Sequence, residues 1–391
     1  MEFTGIFTIL ILLLVASYGF LILRFTYGLF KQENTHSENI QKQSRPPLTK
    51  VMVSVIIPVR NEIHNINRIL NEIRLQDYPA DLLEAIVTDD FSEDHTCAFV
   101  EKFIRLSPGF PVKLIVAGPV EKEKTGKKRA IERAIQVTSG DLILCTDADT
   151  RREPHWISSM VEGFEKSKAK MILGPVMFEN ERNLLQKIQS VEFIGLMGVT
   201  AGSALIGRPV MCNGANLAYT REAFREVGGF IGNEQFTSGD DQFLMSGILR
   251  KYGNKAICFQ YDRSALVCTE PERTLSGFLH QRIRWVSKGR GYRDPFVITV
   301  AGITYFTQLF LLAGMLSGFW LPHLFLITLS LWIVKLLLDY PLVYLMARFL
   351  DKKGLLGYYF IAQAFQLFYM VGVGLAGFIF PFNWKGRTSR R

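Results

Sequence analysis

The sequence predicts an α/β fold with a parallel sheet at its centre and apolar helices at both ends. Three observations carry this. From residue 51 to residue 145, runs of strand length alternate with stretches of helical periodicity, the pattern of a parallel sheet covered on both faces. Residues 6–23 carry no charge, a run just long enough to cross a bilayer, and a second apolar territory fills residues 296–382. The stretch between them, residues 51–294, has the mixed composition of a soluble domain. At 391 residues the chain is long enough for one large domain plus these further elements.

The elements follow in order. Nothing basic precedes the first apolar run and no small-x-small cleavage site follows it, so it reads as an uncleaved anchor rather than a signal peptide. Arg24, Lys31, Lys42, Arg45 and Lys50 come next and put the following segment in the cytoplasm by the positive-inside rule. "VMVSVIIPV", residues 51–59, is a β-branched strand; Asn61 can cap a helix whose apolar Ile63, Ile66, Ile69, Leu70 and Ile73 recur at helical spacing. A short strand at 85–88, a helix at 95–106, a strand at 112–116, a helix at 127–137 and the strand "DLILC" at 141–145 come after it. Further on, Thr220 caps a helix that Gly228 and Gly229 can end.

Three C-terminal segments are long and apolar enough to span: residues 296–319, 321–343 and 358–380. Starting in the cytoplasm, three full crossings would leave the basic tail outside, against the positive-inside rule. One segment is therefore expected to be interfacial or re-entrant. Lys335 and Asp339, four apart on one helical face, can pair, and Asp339-Tyr340-Pro341 reads as a helix end. The expected organisation is an N-terminal transmembrane anchor at 1–30, a basic linker at 31–50, a cytosolic domain at 51–294, C-terminal membrane segments at 295–384 and a basic tail at 385–391. Such a chain is a multi-pass protein of the cell membrane with its working domain in the cytoplasm.

Charge and cysteine usage exclude some function classes. The net charge of +9 concentrates beside the membrane segments, in Arg282, Arg284, Lys288, Arg290 and Arg293 and in the closing "WKGRTSRR". That is the signature of contact with anionic membrane lipids, and no nucleic-acid motif accompanies it, so no nucleic-acid partner is expected. The five cysteines are odd in number and form no metal knuckle or redox pair; they read as small buried hydrophobes.

Parallel sheets bind ligands beyond the carboxyl ends of their strands, which makes the acids informative. Asp89 and Asp90 end the second strand, and Asp147 and Asp149 follow the fourth, so both clusters should face one crevice. Across Asp147-Ala148-Asp149 an extended backbone would send both carboxylates to one side. Hard oxygen ligands at that spacing suit Mg2+ or Mn2+, which hold few protein carboxylates and complete their shell with water and phosphate. Helix capping after Pro154 remains the alternative use for an Asp here.

Read together, "VSVIIPVRNE", "TDDFSEDHT", "GKKRAIERAI", "TDADT", "CNGANLAYTREAFREVGGF", "SGDDQFL" and "QRIRW" resemble the membrane-bound branch of the inverting family-2 glycosyltransferases over residues 51–288. The last piece fits the family's Q-x-x-R-W. The resemblance implies a Rossmann-like GT-A nucleotide-sugar-binding domain with N-terminal and C-terminal transmembrane helices. It also implies roles. Asp89 and Asp90 would receive the base and ribose of the donor, with Lys127 near the nucleotide. Asp149, with Asp147, would hold the metal at the donor diphosphate. Of the pair Asp240-Asp241, which departs from the family's Glu-Asp, Asp241 is the expected base, needed on the face opposite the leaving group. Gln281 and Arg284 would bind diphosphate oxygens, and Trp285 would give the acceptor an amphipathic face. Gly214 and Asn216 would lie on the acceptor side; Glu132 stands where relatives often carry Asn.

The implied function is transfer of a sugar from a nucleotide sugar, a UDP-sugar first, to a lipid or polysaccharide acceptor, with Mg2+ or Mn2+ as cofactor. Two alternatives stay open: a processive polysaccharide synthase, against which the small number of C-terminal segments weighs, and an inactive membrane binding protein or scaffold of the same fold. A metal-dependent phosphohydrolase is a more distant third.

Overall fold

The computed structural model describes residues 2–40, 50–117, 126–231, 239–379, 383–384 and 387–388. Lys42 and Arg45 of the expected linker and most of the basic tail lie outside the described residues. The chain divides into two compact units, one of residues 1–36, 178–210 and 271–391, the other of residues 37–177 and 211–270.

The first helix is α1 (Glu2–Ile40). The second unit then runs β1 (Val53–Val59), α2 (Ile66–Arg74), β2 (Leu83–Asp89), α3 (Thr96–Leu106), β3 (Val112–Val116), α4 (Lys127–Val137) and β4 (Leu142–Cys145). It continues through β5 (Arg151–Arg152), α5 (Trp156–Ser167), β6 (Met171–Leu173) and β7 (Val176–Phe178). After α6 (Leu184–Leu205) come β8 (Leu217–Thr220), α7 (Arg221–Glu226), α8 (Asp240–Tyr252), β9 (Ile257–Phe259) and β10 (Val267–Thr269). The expected strands and helices of residues 51–145 are all present, with ends shifted by one or two residues except at the start of the first of these helices.

Seven strands form one sheet in the order β3-β2-β1-β4-β8-β6-β9, and β5-β10-β7 form a smaller one. The strands β1 to β4 are parallel, with Val53 opposite both Leu83 and Leu142. Beyond β4 the sheet is mixed, because β8 is antiparallel to both β4 and β6. The chain re-enters at the carboxyl edge, Leu217 beside Cys145, which brings the residues before β8 to the end of the sheet where ligands bind.

Side chains two apart share a face, so Val53, Val55, Ile57 and Val59 line one core with Leu83, Ala85 and Val87, closed by Ile69 and Ile73 of α2, Val100 of α3 and Trp156 of α5. On the opposite face Ile56 and Ile86 are fully buried beneath α4, whose Ala130, Ile131, Ala134 and Ile135 face inward. Each buried Val, Leu or Ile here contributes about 1.5–3 kcal/mol of burial. Gly140 leads into β4 against β1, where a Cβ would stand 2.6 Å from the Ser54 nitrogen, so only glycine fits. Asn61 does not cap α2. It sits at φ 55 and its side chain accepts a hydrogen bond from the Glu93 N–H at 2.8 Å, tying the end of β1 to the loop after β2, while the helix starts five residues later at Ile66. Thr220 does cap α7, accepting from the Ala223 N–H, and Gly228 and Gly229 end it at positive φ.

The first unit contains α1 and α6 together with α9 (Leu275–Ser287), α10 (Pro295–Ser317), α11 (Pro322–Phe349) and α12 (Tyr359–Ile379). Five helical stretches among the described residues are long and apolar enough to cross a membrane: 4–35, 184–205, 295–317, 322–349 and 353–377. Four were legible in the sequence. The fifth, α6, was not, because Lys187 and Glu192 lower its mean hydropathy to 1.3. The helix α11 does not end at Pro341 but runs through it to Phe349, and Tyr359 donates to the Leu336 carbonyl in the turn before the proline. Lys335 donates to Asp339 at 2.6 Å and to Gln363 at 2.9 Å, and Tyr18 donates to Asp339 at 2.8 Å, so the expected pair is real and is shared by α1, α11 and α12.

Candidate active site

The site is built at the carboxyl edge of the large sheet. After β4 the chain turns through Thr146 to Thr150; the Thr150 hydroxyl donates to the Asp147 carbonyl at 2.6 Å and shares a hydrogen bond with Thr146. The backbone is therefore a tied turn rather than an extended strand. Within this turn Ala148 enters the core, Asp147 is half-buried and Asp149 is exposed.

Asp240 and Asp241 open α8 behind Gly239, which takes a left-handed φ of 91. Two backbone N–H groups, of Gly214 at 3.0 Å and of Gln242 at 2.8 Å, donate to the two oxygens of Asp241 and orient it. A Cβ on Gly214 would stand 3.2 Å from the Lys127 ammonium and 3.5 Å from Asp241, so a side chain there would press on this cluster.

Lys127, the first residue of α4, is the hub. Its ammonium donates to Asp147 at 2.6 Å and stands 3.7 Å from Asp240. Burial alone would pull this ammonium down, but Asp147, Asp240 and Asp241 outweigh it and hold it well above its usual range. Carboxylates from residues 147 and 240–241, far apart in sequence, thus converge on one cation.

Asp89 and Asp90 are almost fully buried. The Asp89 carboxylate accepts the Ser92 N–H and shapes the turn after β2, while Asp90 accepts the Gly126 N–H at 3.0 Å at the start of α4. Arg133 and Arg60 donate to the backbone carbonyls of Asp89 and Asp90. Asn216 corrects the expectation of an acceptor contact. It is wholly buried; its Oδ1 accepts from the Trp156 indole at 2.9 Å, and its amide nitrogen donates to the Pro175 and Ala265 carbonyls at 2.8 and 2.7 Å. No group of its side chain is left for a ligand, so Asn216 is a strut beneath the site.

One residue that sequence reasoning missed is Arg152. Its side chain is fully buried against the Trp156 ring and donates to Thr150, bracing the acidic turn from below. Burial pulls its guanidinium down to about 10 against the opposing pull of Glu72, Asp147 and Asp149. Nothing in "TDADTRRE" separates this arginine from its half-buried neighbour Arg151. Burial also pushes the Cys97 and Cys145 thiols up to about 12, in keeping with inert cysteines.

Gln281, Arg284 and Trp285 belong to the other unit, on α9, and all three are half-buried. Gln281 donates to Glu272 at 3.4 Å, and the Trp285 ring stands 6.3 Å from that of Phe193. Arg282, read from the sequence as a basic residue facing the leaflet, is 4% exposed and bound to Glu192 of α6.

Among the described residues no three His, Cys, Asp or Glu side chains stand together as a protein cage. Asp147 and Asp149 offer hard carboxylate oxygens on the open side of the turn, which fits an ion that takes most of its shell from water and phosphate.

A mixed sheet with acids at the carboxyl ends of its strands and a half-buried lysine among them places the chain among α/β proteins that bind ligands at that edge. Residues 54–228 match glycosyl transferase family 2 and residues 142–371 match glycosyl transferase family group 2. The chain belongs to the family-2 glycosyltransferases, and its fold is the GT-A fold expected from the motifs. It is 24% identical over 239 residues to a poly-beta-1,6-N-acetyl-D-glucosamine synthase of Staphylococcus epidermidis, covering 61% of this chain and 54% of the relative. The synthase of the same name from Staphylococcus aureus strain COL is 25% identical over the same length. The chain thus spans about half the length of the curated relatives it matches. A solved structure of a mannosyltransferase from Pyrobaculum calidifontis, in complex with GDP-Man and Mn2+, shares the fold over 93% of this chain and 99% of its own, with a TM-score of 0.56 at 17% identity.

Proposed function

We propose that this chain is an active membrane-bound glycosyltransferase that moves a sugar from a nucleoside-diphosphate sugar to a lipid or saccharide acceptor, inverting the anomeric carbon. The observation that carries this reading is the meeting of Asp147, Asp240 and Asp241 around Lys127 at the ligand-binding edge of the sheet. Asp241 is the base. Held by two backbone N–H groups, its carboxylate takes the proton from the acceptor hydroxyl as that oxygen bonds to the anomeric carbon and the bond to the diphosphate oxygen breaks.

Lys127 sets the charge of the site and orients Asp147, and Asp240 flanks it. Asp147 and Asp149 would hold Mg2+ or Mn2+, whose chemistry is to stabilise the negative charge on the departing diphosphate. Asp90 and Asp89 shape the pocket for base and ribose, with Asp90 tied to the start of α4. Gln281 and Arg284 bind diphosphate oxygens, and Trp285 gives the acceptor an apolar surface. The apolar helices α1, α10, α11 and α12 support a multi-pass membrane protein, and the basic Arg24 and Lys31 that follow the first apolar run favour a cytoplasmic sheet unit.

A second reading, growth of a polysaccharide by repeated transfer, is favoured by the similarity to synthases of poly-beta-1,6-N-acetyl-D-glucosamine. The test is to incubate membranes containing the chain with a panel of nucleotide sugars and Mn2+ or Mg2+, then to analyse the lipid extract and the polymer fraction. One sugar added to lipid supports single transfer, and a ladder supports polymer growth. No transfer from any donor, or activity undiminished in Asp241→Asn, overturns the reading.

A further inference from the structure

The motif that resembles Q-x-x-R-W leaves its second residue undefined, yet Arg282 there is its most buried member. Its guanidinium forms a fork with Glu192 of α6, Nε to Oε1 at 3.0 Å and Nη2 to Oε2 at 2.7 Å. Its remaining nitrogen, Nη1, donates to the Gln281 side-chain carbonyl at 2.5 Å. The cationic plane lies 4.2 Å from the centre of the Trp285 ring and 4.5 Å from that of Phe278. Glu192 in turn accepts a hydrogen bond from the Tyr369 hydroxyl of α12.

The same face of α6 carries Gln189, three residues before Glu192, and its side chain exchanges two hydrogen bonds with the Glu272 backbone, at 2.9 and 3.0 Å. Glu272 then accepts the other end of the Gln281 amide. Both ends of that amide are therefore set by groups that α6 positions.

We infer that Arg282, fixed by Glu192 and Tyr369, is a positioning residue for the transfer reaction, acting through Gln281 and Trp285 rather than on substrate. This rests on the proposed function. The physical reason is that Arg is the side chain that can fork onto a carboxylate, donate to an amide and stack on an indole at once, which lysine cannot do. Left alone, the Gln281 amide could flip and the Trp285 ring could turn on its own rotamers.

The test is a double-mutant cycle in the full chain in detergent or membranes, using Arg282→Lys, Gln281→Ala and the pair, with Glu192→Gln and Tyr369→Phe as milder variants. A small misplacement of positioning groups costs about 10²-fold in rate, so Arg282→Lys is expected to lose about that much kcat/KM when Gln281 is present. In the Gln281→Ala background the same change should cost less than about threefold. Tyr369→Phe should fall between wild type and Glu192→Gln. Losses that multiply in full, or a loss tracked entirely by thermal unfolding, overturn the inference while leaving the transferase reading standing. A wild-type chain that transfers no sugar sinks both.

Discussion

Asn216→Ala separates a strut from a substrate contact. The side chain is fully buried and makes three hydrogen bonds, to Trp156, Pro175 and Ala265. The Pro175 carbonyl keeps a second partner, the Val267 N–H at 3.1 Å, so its loss is small. The Trp156 indole N–H and the Ala265 carbonyl lose the bonds that Asn216 made. Each buried polar group left unsatisfied costs about 1–3 kcal/mol, giving about 2–6 kcal/mol in all. In a unit of about 200 residues each kcal/mol is worth about 2–4 °C. The thermal midpoint of the full chain in detergent, followed by intrinsic fluorescence, should therefore fall by at least about 4 °C. Trp156→Phe removes the donor first, and Asn216→Ala in that background should cost measurably less. If the midpoint stays within about 1 °C while the KM for acceptor rises, the geometric reasoning is wrong and Asn216 meets substrate.

Asp241→Asn should lower transfer by about 10²- to 10⁴-fold, measured by product analysis with saturating donor in folded protein, since only one of the two backbone N–H groups loses its acceptor. Chelation of divalent ions should abolish transfer, and adding back Mn2+ or Mg2+ should restore it; full activity in chelator would remove Asp147 and Asp149 from the reaction. Lys335→Leu leaves Asp339 without its cation inside the helix bundle and should cost about 3–5 kcal/mol, whereas the double change Lys335→Leu/Asp339→Leu should recover only part of it, because Tyr18 and Gln363 then lose these partners, read by resistance to unfolding in detergent. Burial alone would raise the Glu84 carboxyl, but Lys113, Ser54 and the Ser139 N–H hold it below its ordinary value of 4.5, so its contribution is present above that pH and is lost as the pH falls through the lower folded value. Glu84→Gln should accordingly flatten the acid limb of the stability profile and leave the neutral region's slope unchanged.

Period-2 and period-3.6 patterning made the order of elements from β1 to β4 legible, because local propensity and burial agree there. The acids at strand ends were legible for the same reason: a parallel sheet has one ligand-binding edge, so a carboxylate just past a strand has a known place. The apolar runs announced four of the five candidate spans by composition alone. What residue spacing could not say was which polar side chains face a ligand and which are consumed by the fold. Asn216 reads in its motif as an acceptor contact and Arg282 as a cation facing the leaflet, yet one is a buried strut and the other is ion-paired to a residue 90 positions away. Lys127 as the hub of three carboxylates, Arg152 beneath the acidic turn and α6 as the frame for α9 all depend on contacts between segments remote in sequence. Hydrogen-bond saturation and ion pairing are satisfied across such contacts, so tertiary structure alone decided them.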